Sequence, residues 1–299
     1  MPVEDVIANM IVHLKSNTIV MRRKSLKRLI LYIPVVFLML SFSKAKEITW
    51  VAIGDSITYL NDHPDETGNR TSKGYLTMVQ EAVADLHYIN QGHNGWTTSG
   101  IAKEIEKLGI VKADIYTVFI GTNDWWSGIP IGTLDDYLND TGTGTTCGSY
   151  RKIINKIRSL NHEARIILIT PMQRNDFVYI ANAQNNAFGS YKEKNGQSLE
   201  GFANAIAAIS KQEKFESIDL YHNKELRLDK LVKYKRLKNP VTGEYKNYKF
   251  PESASIPFNP TKDEYPYPPD AMAMTYDGLH PSNKGNAIIS KQLVKLFKK

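Results

Sequence analysis

The sequence predicts an α/β protein built around a doubly wound parallel sheet. Short apolar segments rich in β-branched residues alternate with amphipathic segments from residue 46 to the C-terminus. Apolar residues make up 42% and charged residues 23% of the chain, which is typical of a globular protein with a sizeable core. Strands that alternate with helices form parallel βαβ units, so helices should cover both faces of the sheet.

Each element follows from a local pattern. Apolar runs of strand length predict strands at residues 48–53, 88–90, 115–120, 165–170 and 217–221. The first helix is predicted from apolar residues that share one helical face, namely Tyr75, Leu76, Val79, Ala82, Val83 and Leu86. Similar spacing predicts helices at residues 100–108, 153–160, 199–212 and 287–297. We therefore expect a single domain over residues 46–299, with a long irregular insertion at 224–276 whose lysines face solvent.

Charge and cysteine content exclude several classes of protein. The net charge is +7, but residues 1–44 hold seven basic and two acidic residues, which leaves only +2 for the remainder. A nearly neutral body argues against nucleic-acid binding. The single cysteine, Cys147, excludes an intramolecular disulfide framework, and the seven histidines lack the spacing of metal ligands.

The N-terminal extension, residues 1–45, resembles an export signal. A basic stretch begins at Met21, and an apolar run of twelve residues follows over 29–40, which Ser41 and Phe42 could lengthen. This run suits a signal peptide and falls short of the ~20 residues of a membrane-spanning helix. We expect a secreted or periplasmic protein with no membrane span after cleavage; the alternative is a retained N-terminal anchor.

Polar residues follow the predicted strands where ligands bind in such sheets. Gly54-Asp55-Ser56 ends the first strand, and its serine would lie on the turn into a helix. The second strand is followed by Gly92 and Gly95, which suggest a backbone that approaches a ligand or takes a positive φ. The third leads to Asn123, whose amide would lie beside the serine.

The segment before the last helix supplies the remaining groups. Asp277 and His280 are three residues apart, so both can face one pocket, and the carboxylate can orient an imidazole that activates Ser56. Each of the four segments is weak evidence alone. Their order and their placement at strand ends together favour a serine hydrolase.

All four segments resemble the blocks of the SGNH (GDSL-type) hydrolase family, and the order of strands and helices fits over about residues 47–298. The resemblance implies that Ser56 is the nucleophile, His280 the base and Asp277 its partner. It implies an oxyanion hole formed by Ser56, Gly95 and Asn123, with Gly92 as the rival of Gly95. It further implies a three-layer α/β/α, flavodoxin-like five-stranded sheet, and hydrolysis of carboxylic esters or thioesters without a cofactor or metal. Trp96 stands where the family often has aspartate, which puts the shape of the pocket in doubt.

The substrate is the least determined part of the prediction. Trp96, Trp125 and Trp126 follow the oxyanion segments and are expected to line the pocket, although core packing would explain them equally well. Arg174 and Asp176, which follow the fourth strand, are further candidates for substrate contact, although a cap or a salt bridge would explain them equally well. The insertion leads directly into Asp277, so we expect it to form one wall of the cleft.

Two hypotheses remain open at this point. The first is a secreted esterase that removes acetyl or another small acyl group from a small-molecule or polysaccharide ester. A lipase or thioesterase on longer chains is the rival enzyme. The second hypothesis is a non-catalytic carbohydrate-binding protein on the same fold. The intact set of Ser56, Asn123, Asp277 and His280 favours the enzyme.

Overall fold

Five parallel strands form the central sheet, in the order β2 (Leu86–Gly92), β1 (Ile48–Gly54), β3 (Ile115–Phe119), β4 (Arg165–Ile169) and β7 (Glu216–Ile218). The computed structural model describes residues 47–298. Its strands are β1 (Ile48–Gly54), β2 (Leu86–Gly92), β3 (Ile115–Phe119), β4 (Arg165–Ile169), β5 (Phe177–Val178), β6 (Asn186–Ala187), β7 (Glu216–Ile218), β8 (Lys235–Lys238) and β9 (Tyr245–Tyr248). The sheet order matches that of flavodoxin-like folds, so the predicted fold class is confirmed.

Helices surround this sheet. They are α1 (Ser56–Tyr59), α2 (Tyr75–Ala82), α3 (Thr98–Glu104), α4 (Thr122–Ser127), α5 (Leu134–Leu138), α6 (Thr146–Leu160), α7 (Leu199–Glu213), α8 (Leu228–Leu231) and α9 (Asn283–Phe297). Short 3-10 segments lie at Leu60–Asp62, Pro64–Thr67, Glu252–Ser255 and Pro269–Ala271.

Alternation along the strands divides the core into two layers. In β1, Trp50 and Ala52 pack with α2 and α9, whereas Val51 and Ile53 pack with α3, α6 and α7. The same alternation in β3 and β4 continues both layers across the sheet. Because every interior strand is buried on both faces, its sequence is an apolar run with no polar face.

The strands end together, which defines one edge of the sheet. Gly54 pairs with Gly92 on one side and with Phe119 on the other, and Phe119 pairs with Ile169. The residues that follow these four strands therefore meet at the carboxyl edge, where ligands bind in open α/β sheets.

The bounds of several predicted elements differ from the structure, and the first helix and the last strand show the physical reasons. The first helix ends at Ala82, and Leu86 instead begins β2. Val83 and Leu86 nevertheless lie in the same apolar cluster as α2, so their spacing reflects burial and not helical backbone. The last strand is shorter than predicted, because the N–H groups of Leu220 and Tyr221 bond to Oγ1 of Thr170 at 2.9 and 3.2 Å and do not continue the ladder.

The insertion at 224–276 contains more regular structure than expected. It includes α8 and an antiparallel hairpin of β8 and β9. Lys230, Lys233 and Lys238 are exposed as predicted, but Lys235 is buried and its Nζ lies 2.6 Å from Oδ2 of Asp176. The prediction for Lys235 was wrong because this ion pair compensates the charge and lets the side chain enter the protein.

The predicted signal peptide and N-terminal extension lie outside the described residues. Within residues 47–298, none of the helices combines the length and apolar character that a membrane crossing requires.

Candidate active site

Ser56 is the first residue of α1, directly beyond the end of β1. Asp55 caps this helix, since its Oδ1 accepts a hydrogen bond from the Ile57 N–H at 3.0 Å. The Ser56 N–H has no partner inside the helix, as expected for a first turn. Gly54 permits this tight turn, because a Cβ there would lie 2.0 Å from Oγ1 of Thr58. The turn therefore brings the hydroxyl and the N–H of Ser56 to the carboxyl edge of the sheet.

The structure brings Ser56, His280 and Asp277 into one hydrogen-bonded chain. Nε2 of His280 lies 2.9 Å from Oγ of Ser56, and Nδ1 lies 2.6 Å from Oδ2 of Asp277. An ionised carboxylate only accepts hydrogen bonds, so Nδ1 carries the proton and Nε2 is left to accept the proton of the serine. Asp277 is fully buried, and Ser56 and His280 are each 6% exposed.

Asp277 is held by the backbone that follows it. Its Oδ1 accepts hydrogen bonds from the N–H groups of Leu279 at 3.0 Å and His280 at 2.7 Å. This leaves Oδ2 for the imidazole. Because the same three-residue turn positions the carboxylate and the histidine, the spacing seen in the sequence produces their alignment directly.

Gly278 joins this turn to the segment after β4. It has a φ of +91°, and a Cβ there would lie 2.1 Å from the carbonyl oxygen of Asp176. The Gly278 carbonyl accepts from the Asn175 N–H at 2.9 Å, and the Asp277 carbonyl accepts from the Val178 N–H at 3.2 Å. Only glycine satisfies both the backbone angle and the close approach.

Two aromatic rings flank the imidazole of His280. Tyr276 stacks on it with ring centroids 5.8 Å apart, and Phe177 meets it edge-on at 5.4 Å. These contacts restrict rotation of the ring. Neither aromatic was among the predicted site residues, although Tyr276 directly precedes Asp277 and its position in the sequence is a usable signal.

The structure distinguishes between the two candidate glycines. The Gly92 N–H donates to Oδ1 of Asn90 at 2.9 Å and is therefore occupied. Gly95 has a φ of +76°, nothing lies within 4 Å of where its Cβ would be, and its N–H makes no hydrogen bond within the described residues. Gly95 lines the same cavity as Ser56 and so is the available donor.

The amide of Asn123 is oriented by the chain next to Gly95. Its Nδ2 donates to the carbonyl oxygen of Trp96 at 2.9 Å, which identifies the NH2 end of the amide and leaves its second N–H unused. Asp124, buried in α4, accepts from the Thr98 N–H at 2.9 Å and from Oγ1 of Thr146 at 3.1 Å. The first bond ties the start of α3 to α4, and the second ties the start of α6 to α4. The bond from Thr98 helps to position Asn123 beside the Gly95 loop.

Burial changes the acidity of the two aspartates beside the site. It raises the pKa of Asp55 to about 6, with partial compensation from the Ile57 N–H and from His280. Burial also raises the pKa of Asp124, and its hydrogen bonds with Thr98 and Thr146 oppose this effect.

A cavity of about 300 Å³ opens beside Ser56. The predicted residues on its wall are Ser56, Gly95, Asn123, Trp126, Arg174 and His280. Further lining residues that the sequence did not indicate include Glu66, Asn94, Phe177, Tyr179 and Tyr276. Glu66 lies in the 3-10 segment Pro64–Thr67, and Tyr179 lies in the loop after β5. Neither belongs to a recognisable motif, so no sequence pattern points to them.

The expectation for two of the three tryptophans was wrong. Trp125 is fully buried in a cluster with Leu199 and Phe202, and its Nε1 donates to the carbonyl oxygen of Gln197 at 2.9 Å. Trp96 stacks on His93 with ring centroids 4.6 Å apart and packs on the core. Helical geometry explains the difference within α4, because consecutive residues point in different directions and only Trp126 faces the cavity.

Arg174 lies on the cavity wall and is only 1% exposed. Its guanidinium lies over the rings of Trp125 and Trp126, with centroid distances of 5.0 and 5.1 Å. Nη2 donates to the carbonyl oxygen of Phe188 at 2.8 Å. Burial lowers the pKa of Arg174 to about 10, so the group remains charged at neutral pH.

A second cavity of about 330 Å³ adjoins the first, and Phe177 and Ala187 line both. Residues 254–258 of the insertion and the buried Lys235 form part of its wall. The insertion thus lines this neighbouring cavity, while its last residue, Tyr276, reaches the cavity that contains Ser56.

Within residues 47–298, Cys147 and the residue types that bind metals form no further site. Cys147 is buried, and burial raises the pKa of its thiol to about 11. Across the described part of the chain, His, Cys, Asp and Glu side chains form no group of three or more that could hold a metal ion.

Several known proteins resemble this chain in sequence or in fold. Residues 52–240 match the model of the GDSL-like lipase/acylhydrolase family. A possible lipase from Chitinophaga pinensis is 64% identical, with a TM-score of 0.84 over 84% of this chain and 98% of that chain. A protein from Lactobacillus plantarum, 18% identical, has a TM-score of 0.55 over 85% of this chain and 98% of that chain, and shows the fold alone. No match was found among the curated proteins. The chain therefore belongs to the GDSL-like lipase/acylhydrolase family and is an ester-hydrolysing enzyme.

Proposed function

We propose that the protein is an exported serine esterase that removes acetyl or another small acyl group from a carbohydrate. The observation that carries this proposal is the hydrogen-bonded chain from Oγ of Ser56 through His280 to Asp277, with distances of 2.9 and 2.6 Å. A nucleophile, a base and a group that orients the base are the parts that acyl transfer requires.

In the first half of the reaction, Ser56 becomes acylated. Nε2 of His280 accepts the hydroxyl proton as Oγ attacks the ester carbonyl, and the negative charge moves to the carbonyl oxygen. The N–H groups of Ser56 and Gly95 and the amide of Asn123 stabilise this oxyanion. When the ester bond breaks, His280 returns the proton to the leaving alcohol oxygen, and the acyl group remains on Ser56.

In the second half, water releases the acid. His280 accepts a proton from the water, whose oxygen attacks the acyl carbonyl and regenerates the oxyanion. Collapse of the intermediate returns the proton to Oγ of Ser56 and frees the carboxylic acid. The carboxylate of Asp277 stabilises the imidazolium that forms twice in the cycle.

The walls of the cavity support a small acyl group and a polar alcohol. Polar side chains such as Asn94, Asn185 and Glu66 share the wall with Trp126. A long alkyl chain would leave these polar groups without hydrogen-bond partners, which is costly. An aromatic face with polar neighbours suits a sugar ring.

Assays on p-nitrophenyl esters of graded chain length test this proposal. We expect acetyl esters to be hydrolysed faster than octanoyl or longer esters, and acetate to be released from acetylated polysaccharides. Ser56→Ala, purified alongside, reports any contaminating activity. Rates that rise with chain length would contradict the proposal and favour a lipase or thioesterase.

A further inference from the structure

Within residues 47–298, Arg174 is a buried cation that forms no ion pair. It is 1% exposed, and no carboxylate lies within ion-pair distance of it among residues 47–298. Nη2 bonds to Phe188, but neither Nε nor Nη1 has a hydrogen-bond partner in this part of the chain. A buried charge is costly unless it is paired, so an unpaired one in a reactive cavity indicates that its partner comes with the ligand.

The carboxylates around this cavity have hydrogen-bond partners other than Arg174. Asp176 accepts from the Gly189 N–H at 2.8 Å, from the hydroxyl of Tyr191 and from Nζ of Lys235 at 2.6 Å. Asp277 is occupied by its own turn and by His280. Glu66 is the carboxylate on the cavity wall, and the hydroxyl of Tyr59 donates to it at 2.8 Å. The negative charges of Asp176 and Asp277 stabilise the charged form of Arg174 through space. Within residues 47–298, none of these three carboxylates forms an ion pair with it.

The two tryptophans hold the guanidinium in place without satisfying its hydrogen bonds. A cation over aromatic faces is stabilised by the ring quadrupole, but its N–H groups in the plane still need acceptors. A carboxylate is the acceptor that fits a planar guanidinium best, because it takes two parallel hydrogen bonds.

Two more cations, Lys194 and Lys192, lie beside the aromatic rings of Trp126 and Phe188. Nζ of Lys194 lies 4.4 Å from the centre of the Trp126 ring, and Nζ of Lys192 lies 5.8 Å from that of Phe188. Neither lysine forms an ion pair within the described residues, although Glu193 lies exposed between them in the sequence. Phe188 and Lys192 also line the second cavity, so positive charge extends from Arg174 along the route between the two cavities.

We propose that Arg174 binds a carboxylate on the alcohol part of the substrate, and that the enzyme deacylates an acidic sugar of the uronic-acid type. This inference rests on the proposed function, since it assigns the carbohydrate whose ester is cleaved. A chain of acidic sugars accounts for Lys192 and Lys194 as well as Arg174, whereas a carboxylate on the acyl group would account for Arg174 alone.

The test compares two O-acetylated methyl glycosides that differ only at C6, one a hexuronic acid and the other the matching hexose. We expect the wild-type kcat/KM to be at least about 10-fold higher for the acidic sugar, and the preference to shrink with added salt. In Arg174→Gln this ratio should fall towards one, and Arg174→Lys should retain part of it. A general packing defect lowers both rates together and leaves the ratio unchanged.

Arg227→Gln is the control, because Arg227 is an exposed arginine directly before α8 whose Nε lies 3.4 Å from Oδ1 of Asp229. It should keep the wild-type ratio. If Arg174→Gln fails to fold, the test uses the wild type alone. The two unacetylated methyl glycosides are then compared as inhibitors of p-nitrophenyl acetate hydrolysis. Stronger inhibition by the uronide is expected, and equal inhibition would overturn the proposal.

Other outcomes separate this inference from the proposed function. Equal hydrolysis of both acetylated sugars overturns the role of Arg174 and leaves the esterase intact. Release of acetate from neither sugar contradicts the proposed carbohydrate esterase itself. A further outcome is that the wild type hydrolyses p-nitrophenyl hemisuccinate faster than p-nitrophenyl butyrate, with this preference lost in Arg174→Gln. That result would place the carboxylate on the acyl group and would also overturn the acidic-sugar assignment.

Discussion

The side-chain amide of Asn123 is oriented by the main-chain carbonyl of Trp96, 2.9 Å from its Nδ2. The two residues are 27 positions apart in the chain, and they meet because β2 and β3 lie on either side of β1 and end at the same edge of the sheet. The bond leaves one N–H of Asn123 for the cavity. It also means that Asn123 is oriented before a substrate binds, which is the condition for an effective oxyanion donor.

Substitutions of Ser56 and Asn123 should differ in magnitude. Ser56→Ala removes the covalent intermediate, so we expect kcat to fall by a factor on the order of 10⁶. Asn123→Ala leaves two backbone donors, so we expect a loss of ~10²–10³, mainly in kcat, because the oxyanion charge develops only in the transition state. Purified variants assayed under identical conditions provide the comparison. A rise in KM alone for Asn123→Ala would mean that Asn123 binds the ground state.

Asp277→Asn should place the proton of His280 on the wrong nitrogen. The two N–H donors of Leu279 and His280 hold Oδ1, so the new NH2 group would face Nδ1 of the imidazole. Nδ1 must then accept, Nε2 carries the proton, and His280 no longer accepts the proton of Ser56. We expect kcat to fall by ~10⁴ with little change in stability. Wild-type turnover in this variant would exclude the proposed role of Asp277.

Gly278→Ala should destabilise the protein and displace the catalytic turn. The substitution combines a φ of +91° with a Cβ only 2.1 Å from the Asp176 carbonyl. Backbone strain and overpacking together should cost about 3–5 kcal/mol in the free energy of unfolding, measured with urea. Gly109→Ala is the matched control, since its φ is +67° but nothing lies within 4 Å of the added Cβ. The control should lose only about 1–2 kcal/mol. Equal losses would show that the close approach at Gly278 is unimportant.

Asp55→Asn should change how stability depends on pH. Burial raises the pKa of Asp55 from 3.8 to about 6, so the folded protein binds this proton more tightly than the unfolded chain does. The contribution of Asp55 to stability is therefore greatest below about pH 3.8, falls as the pH rises through about 6, and is constant above it. The shift corresponds to about 3 kcal/mol.

Asparagine keeps an oxygen that can accept from the Ile57 N–H but carries no charge. We expect Asp55→Asn to be more stable than the wild type at pH 8, with the difference closing as the pH falls towards 4, in urea unfolding curves. Asp65→Asn, at an exposed position, controls for the change in surface charge. A difference that stays constant across this pH range would contradict the shifted pKa.

The N-terminal segment carries a prediction about export. If the basic stretch from Met21 and the apolar run after it form a signal peptide, the mature protein should begin near residues 44–47. N-terminal sequencing of the protein recovered outside the cytoplasm tests this expectation. A mature chain that begins at Met1 or Met21 would favour the retained anchor instead.

The pattern of the sequence alone was enough to predict the architecture and the reacting groups. Apolar runs buried on both faces mark the strands of a parallel sheet, and the carboxyl ends of such strands must meet at one edge, so Ser56 and Asn123 could be assigned to one site without coordinates. Asp277 and His280 could be paired because three residues on one turn keep two side chains together. The pairing of Asp277 with His280 depends on the geometry of one turn. The pairing of Ser56 with Asn123 depends on a rule that holds for every parallel sheet.

Only the tertiary structure decided the features that depend on which groups become paired. The N–H of Gly92 is occupied by Asn90 and that of Gly95 is not, a difference that two glycines in one loop cannot reveal in sequence. Lys235 is buried because Asp176, 59 positions away, compensates its charge. Arg174 is equally buried, but the carboxylates near it are taken by other partners. The cost of burying a polar group depends on its hydrogen-bond and charge partners, and those partners come from distant parts of the chain that only folding brings together.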